Sequence, residues 1–185
     1  MTLLLAAAAG YLVGAVSPAT LLARRAGVDL RAVGSGNPGA TNTSRALGRR
    51  AGLVVAVLDV LKGLLPAAGF GVVDHRAGLL AGFAAVLGHV TSPFLRGRGG
   101  RGVATAAGAI LGSHPLWAPV VLLTWVLVLV VARWTALASV SAALAVLVVA
   151  LVAREDVAWA AALAAVVVVR HQPNVRRMVE ARRVR

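Results

Sequence analysis

The sequence predicts an all-α protein, a polytopic integral membrane bundle of about seven transmembrane helices forming one domain over residues 1–185. Three observations predict it. Hydrophobic residues make up 59% of the chain and charged ones 14%, with a mean hydropathy of +0.86, too apolar for the surface of a soluble domain of this size. Runs such as 116–132 and 135–153 are nearly continuous Ala, Val and Leu, as in helices that cross hydrocarbon. Sixteen of the 19 Lys and Arg fall in segments that one orientation places on a single side.

The spans are expected near 3–23, 52–73, 77–95, 103–113, 116–132, 135–153 and 157–169. The first carries Gly10, Gly14, Ser17 and Pro18, small residues that let helices approach closely. No positive charge precedes it and Arg24 and Arg25 follow, so it is expected to be retained, with its N-terminus outside. The second holds Asp59 and Lys62, three residues apart on one helical face. Two readings stay open there: a buried ion pair that braces the site, or a lysine that snorkels to an interface. Asp74, His75 and Arg76 make an outer turn. Residues 103–113 are about half the roughly twenty needed to span comfortably, and are still counted as a short or tilted crossing. A single helix over 103–132 would instead run about 45 Å and reverse everything after it. With seven spans the C-terminus is cytoplasmic, Arg76 and Arg154 alone lie outside, and the tail from residue 170 is strongly basic.

Two loops concentrate the polar chemistry, both on the predicted cytoplasmic face. Residues 34–45, Gly-Ser-Gly-Asn-Pro-Gly-Ala-Thr-Asn-Thr-Ser-Arg, combine three glycines with Ser35, Asn37, Thr41, Asn42, Thr43, Ser44 and Arg45. Glycines let backbone N–H groups crowd an anion, hydroxyls and amides add donors, and a helix expected after Asn42 would present its N-terminus. The expected role is a phosphate cradle; the bland alternative is a polar turn between helices. No Gly-Lys-Ser/Thr follows, so this is not a nucleotide P-loop. Residues 96–102, Arg-Gly-Arg-Gly-Gly-Arg-Gly, offer charge and close backbone approach together, or serve only to fix topology.

The function classes narrow accordingly. With no cysteine and four histidines at no ligand-like spacing, neither a metal nor any other cofactor is expected. A net charge of +13 confined to short loops suits anionic lipid and phosphorylated substrates better than nucleic acid.

These segments resemble a known family. Residues 34–45, preceded by Asp29-Leu-Arg31, are similar to the first motif of the bacterial membrane glycerol-3-phosphate acyltransferases that use acyl phosphate as donor. Gly88-His89 with Gly99-Gly-Arg-Gly-Val-Ala-Thr105 resembles the second motif, and His171-Gln-Pro-Asn174-Val-Arg-Arg177 the third. Asp59-Val-Leu-Lys62-Gly63 resembles a signature of the second helix. The resemblance implies acyl transfer from acyl phosphate to the 1-hydroxyl of glycerol 3-phosphate at the cytoplasmic face of the inner membrane. It implies catalytic roles for Ser35, Arg45, Arg101, His171 and Asn174, and substrate contacts from Gly36, Asn37, Thr41, Asn42, His89, Gly99, Gly100, Ser139 and Arg177. Membrane lipid and a soluble acyl-phosphate-producing enzyme are the implied partners.

Three positions depart from the family pattern. Arg101 stands where Gly-Gly-Lys-Gly has lysine, Ala181-Arg182-Arg183 replaces Gly-x-Glu, and Trp134-Thr-Ala-Leu replaces Tyr-Val-Ser-Leu, with Ser139 the nearest matching hydroxyl. Two other classes stay in view: a divergent non-catalytic lipid- or phosphate-binding membrane protein, and an organophosphate transporter using Asp59 and Lys62. Product formation separates the enzyme from both, and flux across a sealed vesicle identifies the transporter.

Overall fold

The computed structural model describes the backbone of residues 1–183 and the side chains of residues 1–172. Among the described residues there is no strand. The helices are α1 (Thr2–Ala15), α2 (Pro18–Arg25), α3 (Ala40–Leu47), α4 (Arg49–Gly71), α5 (His75–Thr91), α6 (Val103–Ser113), α7 (Ala118–Ala132), α8 (Thr135–Ala153) and α9 (Val157–Arg183), with a 3-10 turn at Pro93–Leu95. They fall into two compact units, Met1–His114 and Pro115–Arg185.

Among the described residues, four helical stretches are long and apolar enough to cross a membrane: Thr2–Arg25, Arg49–Gly71, His75–Leu95 and Thr135–Ala153. Val103–Ser113, Ala118–Ala132 and Val157–Gln172 are shorter apolar helices. Residues 103–132 are not one helix, because His114 leaves helical geometry at φ −137° and Pro115 follows with no N–H to donate. Asp74 is less a loop residue than a cap: its carboxylate accepts the N–H of Ala77 at 2.9 Å and starts α5.

The stretch expected as a single span at 3–23 is broken. Val16 and Ser17 are extended, Pro18 opens α2, and the Ser17 hydroxyl accepts the N–H of Thr20 at 3.3 Å. Proline disfavours helical geometry in the residue before it but suits the first turn of a new helix. The break strands carbonyls inside an apolar environment, where an unpaired one is costly. Side chains from α4 and from the residue that ends α5 fill them. The Ser92 hydroxyl donates to the Ala15 carbonyl at 2.6 Å, and the Lys62 ammonium to the Val16 carbonyl at 2.8 Å.

In the first unit, glycines set the helix spacing. A methyl group on Gly10 would strike the Ala81 carbonyl oxygen and one on Gly14 that of Ala85, while Gly88 meets Tyr11. These contacts advance together along both chains, so α1 and α5 run parallel. Gly108 against Val60 and Gly112 against Leu64 likewise make α4 and α6 parallel, whereas Gly78 against Gly71 and Gly82 against Ala67 make α4 and α5 antiparallel. Such close backbone approach is how helices associate where no water drives them together. His75 and His114, far apart in sequence, meet edge to face at 5.3 Å. In the second unit, α7 packs on α8 and α8 on α9, and the buried residues of α8 are mostly alanine.

Candidate functional site

The loop before α3 is held from beneath by one residue. Asn42 is 1% exposed; its Oδ1 accepts the Ser35 N–H at 3.1 Å and its Nδ2 donates to the Leu30 carbonyl at 2.9 Å. Both ends of the amide are engaged, so Asn42 shapes the loop from beneath. Gly34 and Gly36 take left-handed φ values of +54° and +66°. At Gly34 the missing side chain also matters, since a Cβ would lie 2.6 Å from Asn42 Oδ1 and 3.4 Å from Arg45 Cδ. Arg45 therefore lies alongside Gly34. The helix after the loop begins at Ala40, earlier than expected, and Thr43 is buried with its hydroxyl donating to the Gly39 carbonyl at 3.1 Å. Ser35, Gly36 and Asn37 are half-buried and Thr41 and Arg45 exposed, which leaves these groups on the open side of the loop.

The second segment uses its glycines differently from the expectation. The N–H groups of Gly99 and Gly100 donate to the carbonyls of Val90 and His89 at 3.1 and 3.0 Å. A Cβ on Gly99 would collide with the His89 carbonyl oxygen, and one on Gly100 with Nε2 of the same histidine. These glycines dock the segment onto the end of α5, and their N–H groups are spent on protein carbonyls rather than on an anion. Arg101 follows half-buried, and Gly102, at φ +83°, starts α6.

His89, implied by the resemblance as a substrate contact, lies inside the last turn of α5, 7% exposed, with Nδ1 3.6 Å from Asp59 Oδ1. Asp59 pairs with Lys62 at 2.9 Å, and both side chains are buried, so the ion-pair reading holds and the snorkelling one does not. A continuous chain of contacts thus links the helix break at Val16 through Lys62, Asp59 and His89 to Gly100, one residue from Arg101.

Sequence reasoning missed the strap between the two loops. Arg31 donates from its guanidinium to the Arg98 carbonyl at 3.1 Å, while its own N–H is held by the Asp29 carboxylate at 2.9 Å. The signal was present as Asp-x-Arg ahead of the first motif, where an aspartate bonds the backbone two residues on. The phosphate-friendly segments of the first unit are therefore adjacent.

The remaining expected residues belong to the second unit. His171 is 2% exposed and its Nδ1 lies 2.7 Å from the Val167 carbonyl, which can only accept. That bond puts the proton on Nδ1, so in the neutral ring Nε2 carries the lone pair. Ser139 donates to the Thr135 carbonyl at 2.8 Å and receives Trp125 Nε1 at 3.4 Å, which braces α8 against α7. The side chains of Asn174 and Arg177 lie outside the described residues, as do those of Arg182 and Arg183.

A family model described as glycerol-3-phosphate acyltransferase matches residues 4–181. The glycerol-3-phosphate acyltransferase of Geobacter sulfurreducens is 43% identical, over 96% of this chain and 94% of its own, and that of Geotalea daltonii 42% identical, over 91% and 89%. Among solved structures, PlsY, an integral membrane glycerol 3-phosphate acyltransferase, superposes in its glycerol 3-phosphate form with a TM-score of 0.92 at 35% identity, covering 98% of this chain and 94% of that one. Its lysophosphatidic acid form gives 0.89 at 34%, with the same coverage. With a match over nearly its whole length, relatives above 40% identity and a shared membrane fold, this chain belongs to the glycerol-3-phosphate acyltransferase family.

Proposed function

We propose that this protein is a membrane acyltransferase that moves a fatty acyl group from acyl phosphate to the 1-hydroxyl of glycerol 3-phosphate, forming lysophosphatidic acid and inorganic phosphate. The observation that carries the reading is the adjacency, in a chain of this family, of the loop bearing Ser35 and Arg45 to the segment bearing Arg101, strapped together by Arg31. Both reactants carry phosphate and repel each other. Guanidinium groups at one place lower that repulsion and align the hydroxyl with the acyl carbon. The hydroxyl oxygen bonds to the carbonyl carbon, the carbon–oxygen bond to phosphate breaks, and the hydroxyl proton passes to a phosphate oxygen. No acyl-enzyme is needed. Arg101 in place of lysine keeps the charge and changes its shape, so binding should survive the exchange.

We extend the same reading to topology: seven crossings, three of them short, with the N-terminus outside and both arginine-bearing loops cytoplasmic at the inner membrane. The alternating directions of α1, α4, α5 and α6 support it, as does the distribution of basic residues. Asp59 and Lys62 neutralise each other beside a helix break, which removes the observation that pointed to a transport pathway.

The test is phosphate release and lysophosphatidic acid formation by the purified protein given acyl phosphate and glycerol 3-phosphate. Activity that Arg45→Ala and Arg101→Ala each abolish establishes the reading. No product from folded wild type, with Arg101→Lys restoring it, would identify a decayed relative.

A further inference from the structure

A cleft of about 720 Å³ opens in the first unit between α2 with its following loop and the 3-10 turn after α5. It contains none of the residues assigned above to binding or catalysis. Its inner surface is apolar: Ala23 and Leu30 are buried beneath it, and Phe94, 66% exposed, forms one wall. Its rim carries Arg24, Arg31, Arg96 and Arg98 against a single carboxylate, Asp29. Arg31 is committed to the Arg98 carbonyl, and Asp29 to the Arg31 N–H. The guanidinium groups of Arg24, Arg96 and Arg98 have no carboxylate partner among the described residues.

The depth of this cleft follows from helix directions. Arg24 closes the apolar stretch Thr2–Arg25, and Phe94 and Arg96 close His75–Leu95. Because α1 and α5 run parallel, both apolar stretches end on the same side, and the cleft lies where they end. That is headgroup depth in a bilayer. A concave apolar surface beside three uncompensated guanidinium groups suits a molecule that joins a phosphate to hydrocarbon. Inorganic phosphate would leave the floor uncovered, and a soluble acidic peptide would have to displace lipid to reach it.

We propose that this cleft seats an anionic phospholipid of the surrounding bilayer, its phosphate held by Arg24, Arg96 and Arg98 and the upper part of an acyl chain lying against Phe94. The lipid is a resident ligand distinct from the two substrates, and the proposal does not depend on the acyltransferase reading. Since Arg98 is also the residue whose carbonyl receives Arg31, an occupied cleft would steady the strap between the two loops.

The experiment is native mass spectrometry of the full chain, delipidated in detergent and offered phosphatidylglycerol or phosphatidylcholine. The comparison is with an Arg24→Gln/Arg96→Gln/Arg98→Gln variant whose helicity and melting are checked first. The wild type should retain phosphatidylglycerol in preference to phosphatidylcholine, and the variant should lose that preference by on the order of a hundredfold, as expected for three arginines near a lipid surface. Phe94→Ser should weaken retention of both lipids while keeping the preference. Equal retention of phosphatidylglycerol by wild type and the triple variant would overturn the proposal. So would its displacement by millimolar inorganic phosphate or glycerol 3-phosphate, which would assign the cleft to free phosphate, or by acyl phosphate alone, which would assign it to the donor.

Discussion

Lys62 donates to the carbonyl oxygen of Val16 at 2.8 Å, and so repairs from α4 the gap that Pro18 opens between α1 and α2. The same ammonium is 2.9 Å from Asp59, making one buried charge serve as both counter-ion and backbone cap. It ties α4 to the junction of α1 and α2.

Lys62→Met should therefore destabilise the protein by about 3–5 kcal/mol, because it leaves Asp59 buried without its partner. Asp59→Leu/Lys62→Met should recover part of that loss, though the Val16 carbonyl stays uncapped. Thermal unfolding of both variants in one detergent checks the order; a double variant no better than the single one would contradict it.

Substitution of Asn42 should rank by which of its two bonds survives. Asn42→Ala loses both and should cost about 1–3 kcal/mol per unsatisfied group. Asn42→Asp keeps the acceptor for Ser35 but sets a carboxylate oxygen against the Leu30 carbonyl, and should be the worse of the two. In activity assays both should raise KM for glycerol 3-phosphate, since the loop and not the chemistry is disturbed.

Two glycines of the second segment should respond in opposite ways. Gly100→Ala drives a methyl into the His89 ring and should displace Arg101, abolishing most activity in a protein that still folds. Gly97, at φ +74° with nothing within 4 Å, should tolerate alanine at a cost of about 1–2 kcal/mol from backbone strain alone, with activity near wild type. Initial rates and melting temperatures of the pair separate crowding from strain.

For His171 the informative exchanges are amides. Asn can imitate Nδ1 and keep the bond to Val167, whereas Gln can imitate Nε2. If Nε2 faces the reaction, His171→Gln should retain more kcat than His171→Asn while melting at a lower temperature. The reverse order in kcat would assign the histidine a purely structural role.

Much of this protein was legible in the sequence because hydrocarbon imposes harsh local rules. Apolar runs, arginine-bearing loops and glycine-rich motifs each declare themselves within some twenty residues, and they were enough to indicate helices, membrane and family. The spacing of three between Asp59 and Lys62 on one helix face made their pairing one of two open readings, and the structure chose it. What only the tertiary structure decided is which polar group satisfies which. A sequence displays Asn42, Gly99 and Gly100 as donors near a loop, and cannot tell a donor aimed at a ligand from one already committed to a carbonyl twelve, nine or eleven residues away. The Pro18 break shows the same limit: proline signals that carbonyls will be stranded, but Lys62 and Ser92, 46 and 77 residues beyond their acceptors, can be identified as the groups that fill them only once helix packing brings them there. Hydrogen bonding is short-ranged and directional, so its partners are chosen by the fold and not by the order of the chain.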